Sequence, residues 1–238
     1  MEDPQFYGAG FPYRSLKDLT GKLIVLEGTD GVGRSTQIAL LRRYLEEQGY
    51  AVSDTGLRRS PLTQPGLDAA KLGHTLGPLT MSLFYATDFA DRLENQIIPA
   101  LRAGFIVLSD RYFFSIIARD LVRGATPDWS RKVYGFALKP DLVLYMRADV
   151  PNLVARIVHG RGFNYWEAGM DLGLANNMYD SFCIYQENMV AQLDRMAREF
   201  NFVTVDANRP VQTVNDELRG HILNLFKQPQ ANTTPATD

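Results

Sequence analysis

The residues with the clearest chemical potential lie in segment 28–36, where three glycines precede an arginine, a serine and a threonine. Their spacing follows the phosphate-binding loop pattern G-x-x-x-x-G-K-[ST], except that Arg34 stands in place of the lysine. Glycines allow a tight backbone path that turns successive N–H groups towards an anion. Ser35 has the position whose hydroxyl binds Mg²⁺ in such loops. The segment therefore predicts a phosphate site; the alternative is a glycine-rich turn between strand and helix, with no ligand.

A strand before this loop and a helix after it are needed to hold it in place. Residues 23–26 are wholly apolar, as expected of a strand buried on both faces of a parallel sheet. A helix that begins near Arg34 would have Ile38, Leu41 and Leu45 on one face. The N-terminus of that helix would bring partial positive charge to the loop.

The rest of the chain alternates short apolar strands with helical patterns. Further strands are predicted at 51–53, 105–109, 141–146 and 202–205, and a polar loop at 54–65. Further helices are predicted at 79–102, 115–123, 130–137, 151–158, 177–200 and 211–226. This alternation predicts an α/β fold, with a five-stranded parallel sheet of the P-loop NTPase type and helices on both faces.

The predicted elements set the limits of the domain. We expect an irregular leader at 1–20, one domain at 21–226 and a disordered tail at 227–238. Segment 159–174, called the lid below, is rich in glycine, which suits a mobile cover that closes over phosphates and excludes water. A packed aromatic segment is the alternative for the lid.

Composition narrows the class of protein. The 238 residues carry a formal net charge of −2 and no long basic run, which argues against binding of nucleic acid. No apolar stretch approaches the ~18 residues of a membrane span, and the N-terminus lacks the basic start of a signal peptide. The single cysteine, Cys183, excludes an intrachain disulfide. We therefore expect a cytoplasmic protein with neither a nucleic-acid nor a membrane partner.

Several landmarks that agree in type and order give the chain a family resemblance. Asp110-Arg111-Tyr112 ends an apolar strand and is followed by Ser115. The other landmarks are segments 26–37, 83–86, 97–101, 140–145 and 205–210. Over about residues 22–222 the chain resembles the thymidylate kinase family of P-loop nucleoside-monophosphate kinases. The resemblance implies Mg²⁺-dependent phosphoryl transfer from ATP to a nucleoside monophosphate, with dTMP as the leading acceptor and dTDP as product. It also implies a homodimer that associates through its long helices.

The resemblance implies roles for individual residues around the donor nucleotide. The loop residues that would hold the donor phosphates are Asp30, Gly31, Val32, Gly33, Arg34, Ser35 and Thr36. Ser35 and Asp110 would hold Mg²⁺. The residues that would act in catalysis are Arg34, Asp110, Arg111 and Arg161 of the lid. Arg111 would bridge donor and acceptor phosphates and neutralise the charge that builds up during transfer. A structural ion pair at a strand end is the alternative for Asp110 and Arg111.

The resemblance also implies an acceptor site, to which Arg111 and Ser115 would contribute. Asp30 would lie near the sugar hydroxyl, and Arg58 or Arg59 would clamp the acceptor phosphate through a planar fork. Phe84 would stack on the base. The alternatives are solvated loop charges for the two arginines and a core position for Phe84.

The chain departs from the family pattern at three places. Arg34 replaces the loop lysine, which reaches the terminal phosphates as a compact charge. Asp88 is followed by Phe89 where the family has arginine. Segment 116–118 (Ile-Ile-Ala) replaces polar contacts, which predicts a more apolar acceptor pocket. These departures leave two alternatives open: a kinase for a different small phosphorylated acceptor, and a nucleotide-binding regulator whose catalysis is weakened by Arg34.

Overall fold

The computed structural model describes residues 5–11, 16, 18–73 and 75–227. Within these ranges five strands form one sheet: β1 (Lys22–Glu27), β2 (Val52–Gly56), β3 (Ile106–Asp110), β4 (Leu142–Arg147) and β5 (Val203–Asp206). The strand order is β2-β3-β1-β4-β5, and every neighbouring pair is parallel. The predicted α/β class and parallel sheet are therefore confirmed.

Helices cover both faces of the sheet. They are α1 (Arg34–Glu47), α2 (Gln64–Leu72), α3 (Pro78–Arg92), α4 (Ile98–Arg102), α5 (Phe113–Val122), α6 (Pro127–Val133), α7 (Val150–His159), α8 (Met178–Glu199) and α9 (Val211–Lys227). The lid lies mainly between α7 and α8 and contains a 3₁₀ turn, Met170–Leu172. No helix in the described part of the chain is both long and apolar enough to cross a membrane.

The central strand β1 supplies residues to the cores on both sides of the sheet. Leu23 and Val25 pack with α3, α5 and α8, whereas Ile24 and Leu26 pack with α1, α7 and α9. All four side chains are buried, which explains the uninterrupted apolar run at 23–26. The predicted apolar face of α1 (Ile38, Leu41, Leu45) is buried in the second of these cores, as expected.

Two elements differ from the sequence prediction in kind, beyond shifts in their bounds. Helix α2 begins at Gln64, inside the predicted loop, and has Pro65 in its first turn. Proline is favoured there because the first N–H groups of a helix have no partner within the helix, so a proline does not always indicate a loop. The predicted long helix at 79–102 is interrupted by a π-helical turn, Leu93–Ile97, between α3 and α4.

Only parts of the predicted leader are described, and the tail beyond residue 227 lies outside the described residues. Phe6 forms an isolated bridge with Leu138 and is buried. The ring of Tyr7 contacts the rings of Phe113 and Phe114 in α5. The described part of the leader therefore packs against α5 and the segment that follows α6.

Candidate active site

The loop between β1 and α1 has a backbone path that requires glycine at two positions. Gly28 has φ +150°, and a Cβ atom there would lie 2.6 Å from the carbonyl oxygen of Met146. Gly31 has φ +81°, and its Cβ would lie 2.8 Å from Cγ1 of Ile157. The N-cap of α1 is Gly33, which has no capping side chain, so the first N–H groups of α1 stay available to a ligand. This geometry suits binding of a phosphate.

The Arg34 side chain folds back on the loop and is only 7% exposed. Its Nη1 atom donates to the carbonyl oxygens of Gly28, at 2.6 Å, and of Thr29. Its Nε atom donates to Oδ1 of Asp110 at 2.7 Å. Arg34 therefore connects the start of the loop with the end of β3.

Asp110 also contacts the serine predicted to bind Mg²⁺. The Ser35 hydroxyl donates to Oδ2 of Asp110 at 3.0 Å. Burial acts to raise the pKa of Asp110, but the charges of Arg34 and Arg111 and two hydrogen bonds hold it below its usual value. No cluster of three or more His, Cys, Asp or Glu side chains suited to a metal ion occurs in the part of the chain that the structure describes. A carboxylate and a hydroxyl do suit Mg²⁺, which keeps several waters and takes other ligands from substrate phosphates.

Arg111 is held by both its backbone and its side chain. It has φ +69°, an uncommon value for a residue with a side chain, and its N–H donates to the carbonyl of Leu26 at 2.9 Å. Its guanidinium forms an ion pair with Asp30, which Arg119 also contacts, at 3.3 Å. Burial acts to raise the pKa of Asp30, but the two arginines hold it well below its usual value. Asp30 is therefore an ionised carboxylate between two cations.

Glu27, which sequence analysis did not select, is fully buried beneath the loop at the end of β1. Its carboxylate accepts hydrogen bonds from the N–H of Tyr112, at 2.8 Å, and from the N–H and hydroxyl of Ser115. Burial raises its pKa. The signal that could have identified it is an acidic residue at the end of a wholly apolar strand. Ser115, predicted to bind the acceptor, is 1% exposed and is bound to Glu27.

These elements surround a cavity of about 940 Å³ at the carboxyl ends of the strands. Most of the predicted site residues line it: Asp30, Gly31, Gly33, Arg34, Ser35, Thr36, Arg58, Arg59, Asp110, Arg111 and Arg161. The predicted residues Val32, Phe84 and Ser115 are not among those lining it. Phe84 is half-buried against the core on the α3 side of the sheet, and Val32 is in the core on the α1 side.

The predicted phosphate-binding arginines at the rim are exposed and form ion pairs. Arg58 contacts Asp68 at 3.3 Å, and Arg59 contacts Asp54 at 2.8 Å. Arg161 of the lid pairs with Glu167 and is 61% exposed. These long side chains can exchange a surface ion pair for a ligand at small cost, because such pairs contribute little to stability.

Arg156, the other arginine near the lid, points away from the cavity. Its guanidinium donates to the carbonyl oxygens of Val32, at 3.1 Å, and Ala207, at 2.6 Å. It therefore supports the phosphate-binding loop from outside.

The side of the cavity formed by α2 and α5 is charged, which differs from the apolar acceptor pocket predicted above. Ile116 lines the cavity, but so do Lys71, Arg119, Asp120 and Arg123. Ile117 and Ala118 lie in the core instead. The prediction was wrong because Lys71 belongs to the unpredicted helix α2, and because α5 also faces the cavity beyond residue 118.

Lys71 connects α2 with the lid at the cavity. Its Nζ atom donates to the Tyr85 hydroxyl at 2.7 Å and lies 5.9 Å from the centre of the Trp166 ring. Trp166 in turn donates from Nε1 to the backbone carbonyl of Lys71 at 3.2 Å. Burial lowers the pKa of Lys71. The lid is thus in contact with α2 at the cavity.

Comparison with known proteins gives one consistent result. A family model described as thymidylate kinase matches residues 26–218. The chain is 37% identical over 203 residues to a probable thymidylate kinase 2 of Saccharolobus solfataricus, covering 84% of this chain and 95% of that protein. It is 29% identical over 218 residues to a thymidylate kinase of Caldicellulosiruptor saccharolyticus, covering 88% of this chain and 100% of that protein. A probable thymidylate kinase of Thermococcus kodakarensis is 38% identical over 147 residues, 56% of this chain and 70% of that protein.

Proposed function

The chain belongs to the thymidylate kinase family, and we propose on that premise that it transfers the γ-phosphoryl group of ATP to dTMP and releases dTDP and ADP. The observation that supports this most directly is the cavity itself. The cavity is lined by the phosphate-binding loop, by the ion-paired Arg111 and by the exposed arginines Arg58, Arg59 and Arg161. It is large enough to hold the phosphates of a donor and an acceptor nucleotide side by side. Transfer in such a site needs positioning and charge stabilisation, without a covalent intermediate.

The donor side of the proposed reaction uses the loop amides and the end of β3. The uncapped N-terminus of α1 would bind the donor phosphates. Ser35 and Asp110 would hold Mg²⁺; the Ser35 hydroxyl lies 3.0 Å from Oδ2 of Asp110. The ion would neutralise charge on the phosphate oxygens when bound. Asp110 fits this role because neighbouring cations keep its carboxylate ionised.

The acceptor side uses the cations that line the rest of the cavity. Arg58 or Arg59 would exchange its surface carboxylate for the acceptor phosphate. Arg111 would lie between the two phosphates, because it follows Asp110 directly and also reaches Asp30 of the loop. Arg161 would reach the phosphates from the lid.

The assembly and location of the protein are part of the same proposal. Leu79 and Leu83 lie one turn apart on α3 and are 60% and 46% exposed, which supports a homodimer formed through this helix. A single cysteine is in keeping with a cytoplasmic enzyme.

The test is an acceptor profile of the purified chain. ADP release would be measured with ATP and each of dTMP, dUMP, dCMP, dAMP and dGMP, with and without Mg²⁺. We expect the largest kcat/KM for dTMP and loss of activity without Mg²⁺. Arg111→Ala serves as the control for contaminating kinases. A preference for another acceptor would correct the substrate, and ATP binding without turnover on any acceptor would replace the kinase with a nucleotide-binding regulator.

A further inference from the structure

The Arg34 guanidinium donates hydrogen bonds to groups of the protein, whereas a lysine in such a loop presents a compact charge to the phosphates. Three of its five N–H groups are used within the protein: one on Nε for Asp110, and two on Nη1 for the carbonyls of Gly28 and Thr29. All three acceptors lie within hydrogen-bond distance, and the side chain is 7% exposed. Most of the hydrogen-bonding capacity of Arg34 is therefore used by groups of the protein itself.

The partners of Arg34 come from two different elements. Gly28 and Thr29 are the first two residues of the loop after β1, whereas Asp110 is the last residue of β3. Asp110 uses its second oxygen for the hydroxyl of Ser35, at 3.0 Å. One side chain thus fixes the start of the loop and the orientation of the carboxylate that faces α1.

A lysine could not make the same set of contacts. Its single ammonium nitrogen is a compact charge, whereas the planar guanidinium presents Nε and Nη1 on adjacent positions of a rigid fork. The two carbonyls and the carboxylate are matched to that fork. Arginine in place of lysine at position 34 therefore changes what the side chain binds: it contacts two carbonyls of the loop and the Asp110 carboxylate.

We propose that Arg34 is a positioning residue, which fixes the loop through Gly28 and Thr29 and orients Asp110. Neutralising the charge of the transferred phosphoryl group is then left to Arg111, in the role already proposed for it. This inference rests on the proposed phosphoryl transfer. Arg111 suits the task because it lines the same cavity, is adjacent to Asp110 in the chain and reaches the loop through Asp30.

The test compares Arg34→Lys and Arg34→Ala with Arg43→Ala, a control at an exposed position of the same helix. Dissociation constants for ADP and for a non-hydrolysable ATP analogue would be measured by calorimetry without acceptor, beside kcat and the unfolding temperature. We expect both Arg34 variants to lose about 100-fold or more in kcat. Both should bind ADP and the ATP analogue more weakly by the same factor, because the loop itself is disturbed.

Chemical rescue gives a readout that a purely structural role would not move. Guanidinium ion added to Arg34→Ala should restore kcat by about tenfold or more, whereas methylammonium at the same concentration should not, because only a planar fork fits the three acceptors. The Arg43→Ala control should respond to neither ion.

Two results would overturn the inference. One is full activity in Arg34→Lys, together with a loss of affinity in Arg34→Ala that is about tenfold greater for the ATP analogue than for ADP. That pattern would mark a direct contact between Arg34 and the terminal phosphate. The other is unchanged kcat in Arg34→Ala. If Arg34→Ala does not fold, Arg34→Lys and its ADP and ATP-analogue affinities still decide between the two roles. The nucleotide affinities need no acceptor, so they remain informative even if the wild type fails to phosphorylate dTMP.

Discussion

Arg111 shows how much of this site depends on a single residue's conformation. Its φ of +69° turns the side chain into the cavity directly after β3 ends, and the hydrogen bond from its N–H to Leu26 joins that turn to β1. Burial and the nearby Arg34 lower its pKa, while Asp30 acts in the opposite direction. A backbone conformation that costs energy is thus maintained where a cation must be placed accurately.

We expect Arg111→Ala to lower kcat by about 100-fold to 1000-fold while KM for either substrate changes much less, because its charge is needed most in the transition state. Steady-state kinetics with dTMP and ATP would measure both parameters. Unfolding by urea would confirm that the variant folds. A rise in KM at constant kcat would show instead that Arg111 only binds substrate.

The raised pKa of Asp120 predicts how the free energy of unfolding depends on pH. Burial raises its pKa to about 6, although the Ser82 hydroxyl and the charges of Arg123 and Arg119 act to lower it. The folded protein then holds this proton over a pH range in which the unfolded chain, with a pKa near 3.8, has lost it. The free energy of unfolding should therefore fall as pH rises from about 4 to 6.

Asp120→Asn should remove that part of the pH dependence. Its amide oxygen can still accept from Ser82, so above pH 6 the variant should be more stable than the wild type, by at most about 3 kcal/mol. Urea unfolding of both proteins between pH 4.5 and 7.5 would measure the difference. Parallel stability curves would contradict the prediction.

At the scale of elements, the end of β1 and the segment after β3 are joined by one buried acidic residue, Glu27. The Glu27 carboxylate holds the first residues after β3 by accepting from the N–H of Tyr112 and from Ser115 in α5. It therefore connects the phosphate-binding loop with the Asp110-Arg111-Tyr112 segment from below.

Glu27→Ala should lower the free energy of unfolding by about 2–4 kcal/mol, since it leaves several buried donors without an acceptor. Glu27→Gln is the matched control: its amide oxygen can still accept from Tyr112, and the Ser115 hydroxyl can rotate to accept from the amide nitrogen. Equilibrium unfolding in urea would measure both. An equal loss in the two variants would show that the negative charge matters more than the hydrogen bonds.

The elements that bury long apolar runs were predictable, whereas the charged side of the cavity formed by α2 and α5 was not. The run at 23–26 and the apolar face of α1 predicted β1, α1 and the loop between them, because burial selects those side chains directly. Helix α2 was missed because Pro65 resembles a loop residue, and with it Lys71 was missed as a cavity residue. The placement of Ser115 beneath the loop depends on its bond to Glu27, a contact 88 residues away in sequence that no local pattern reveals.

For the whole molecule, the exposed apolar side chains of α3 bear on assembly. Leu79 and Leu83 lie on the side of the sheet that also carries α5 and α8, whereas the exposed Val158 belongs to α7 on the other side. An apolar pair on one helix face is typical of a surface that a partner covers.

We expect the double variant Leu79→Glu, Leu83→Glu to have the molar mass of one chain in solution, because two buried carboxylates would oppose association. Val158→Glu, a matched change on the opposite face, should keep the molar mass of the wild type. Light scattering coupled to gel filtration would measure all three proteins. A monomeric wild type would contradict the proposed homodimer.

The contact between the lid and α2 also has a spectroscopic consequence. The chain has two tryptophans, of which Trp166 belongs to the lid and lies beside the Lys71 ammonium, while Trp129 lies in α6. The emission of an indole depends on the charge and water around it, so Trp166, which lines the cavity, is a built-in fluorophore. With Trp129 replaced by phenylalanine, the emission of Trp166 would report whether the contact between the lid and α2 changes when nucleotides are added to an otherwise unlabelled protein.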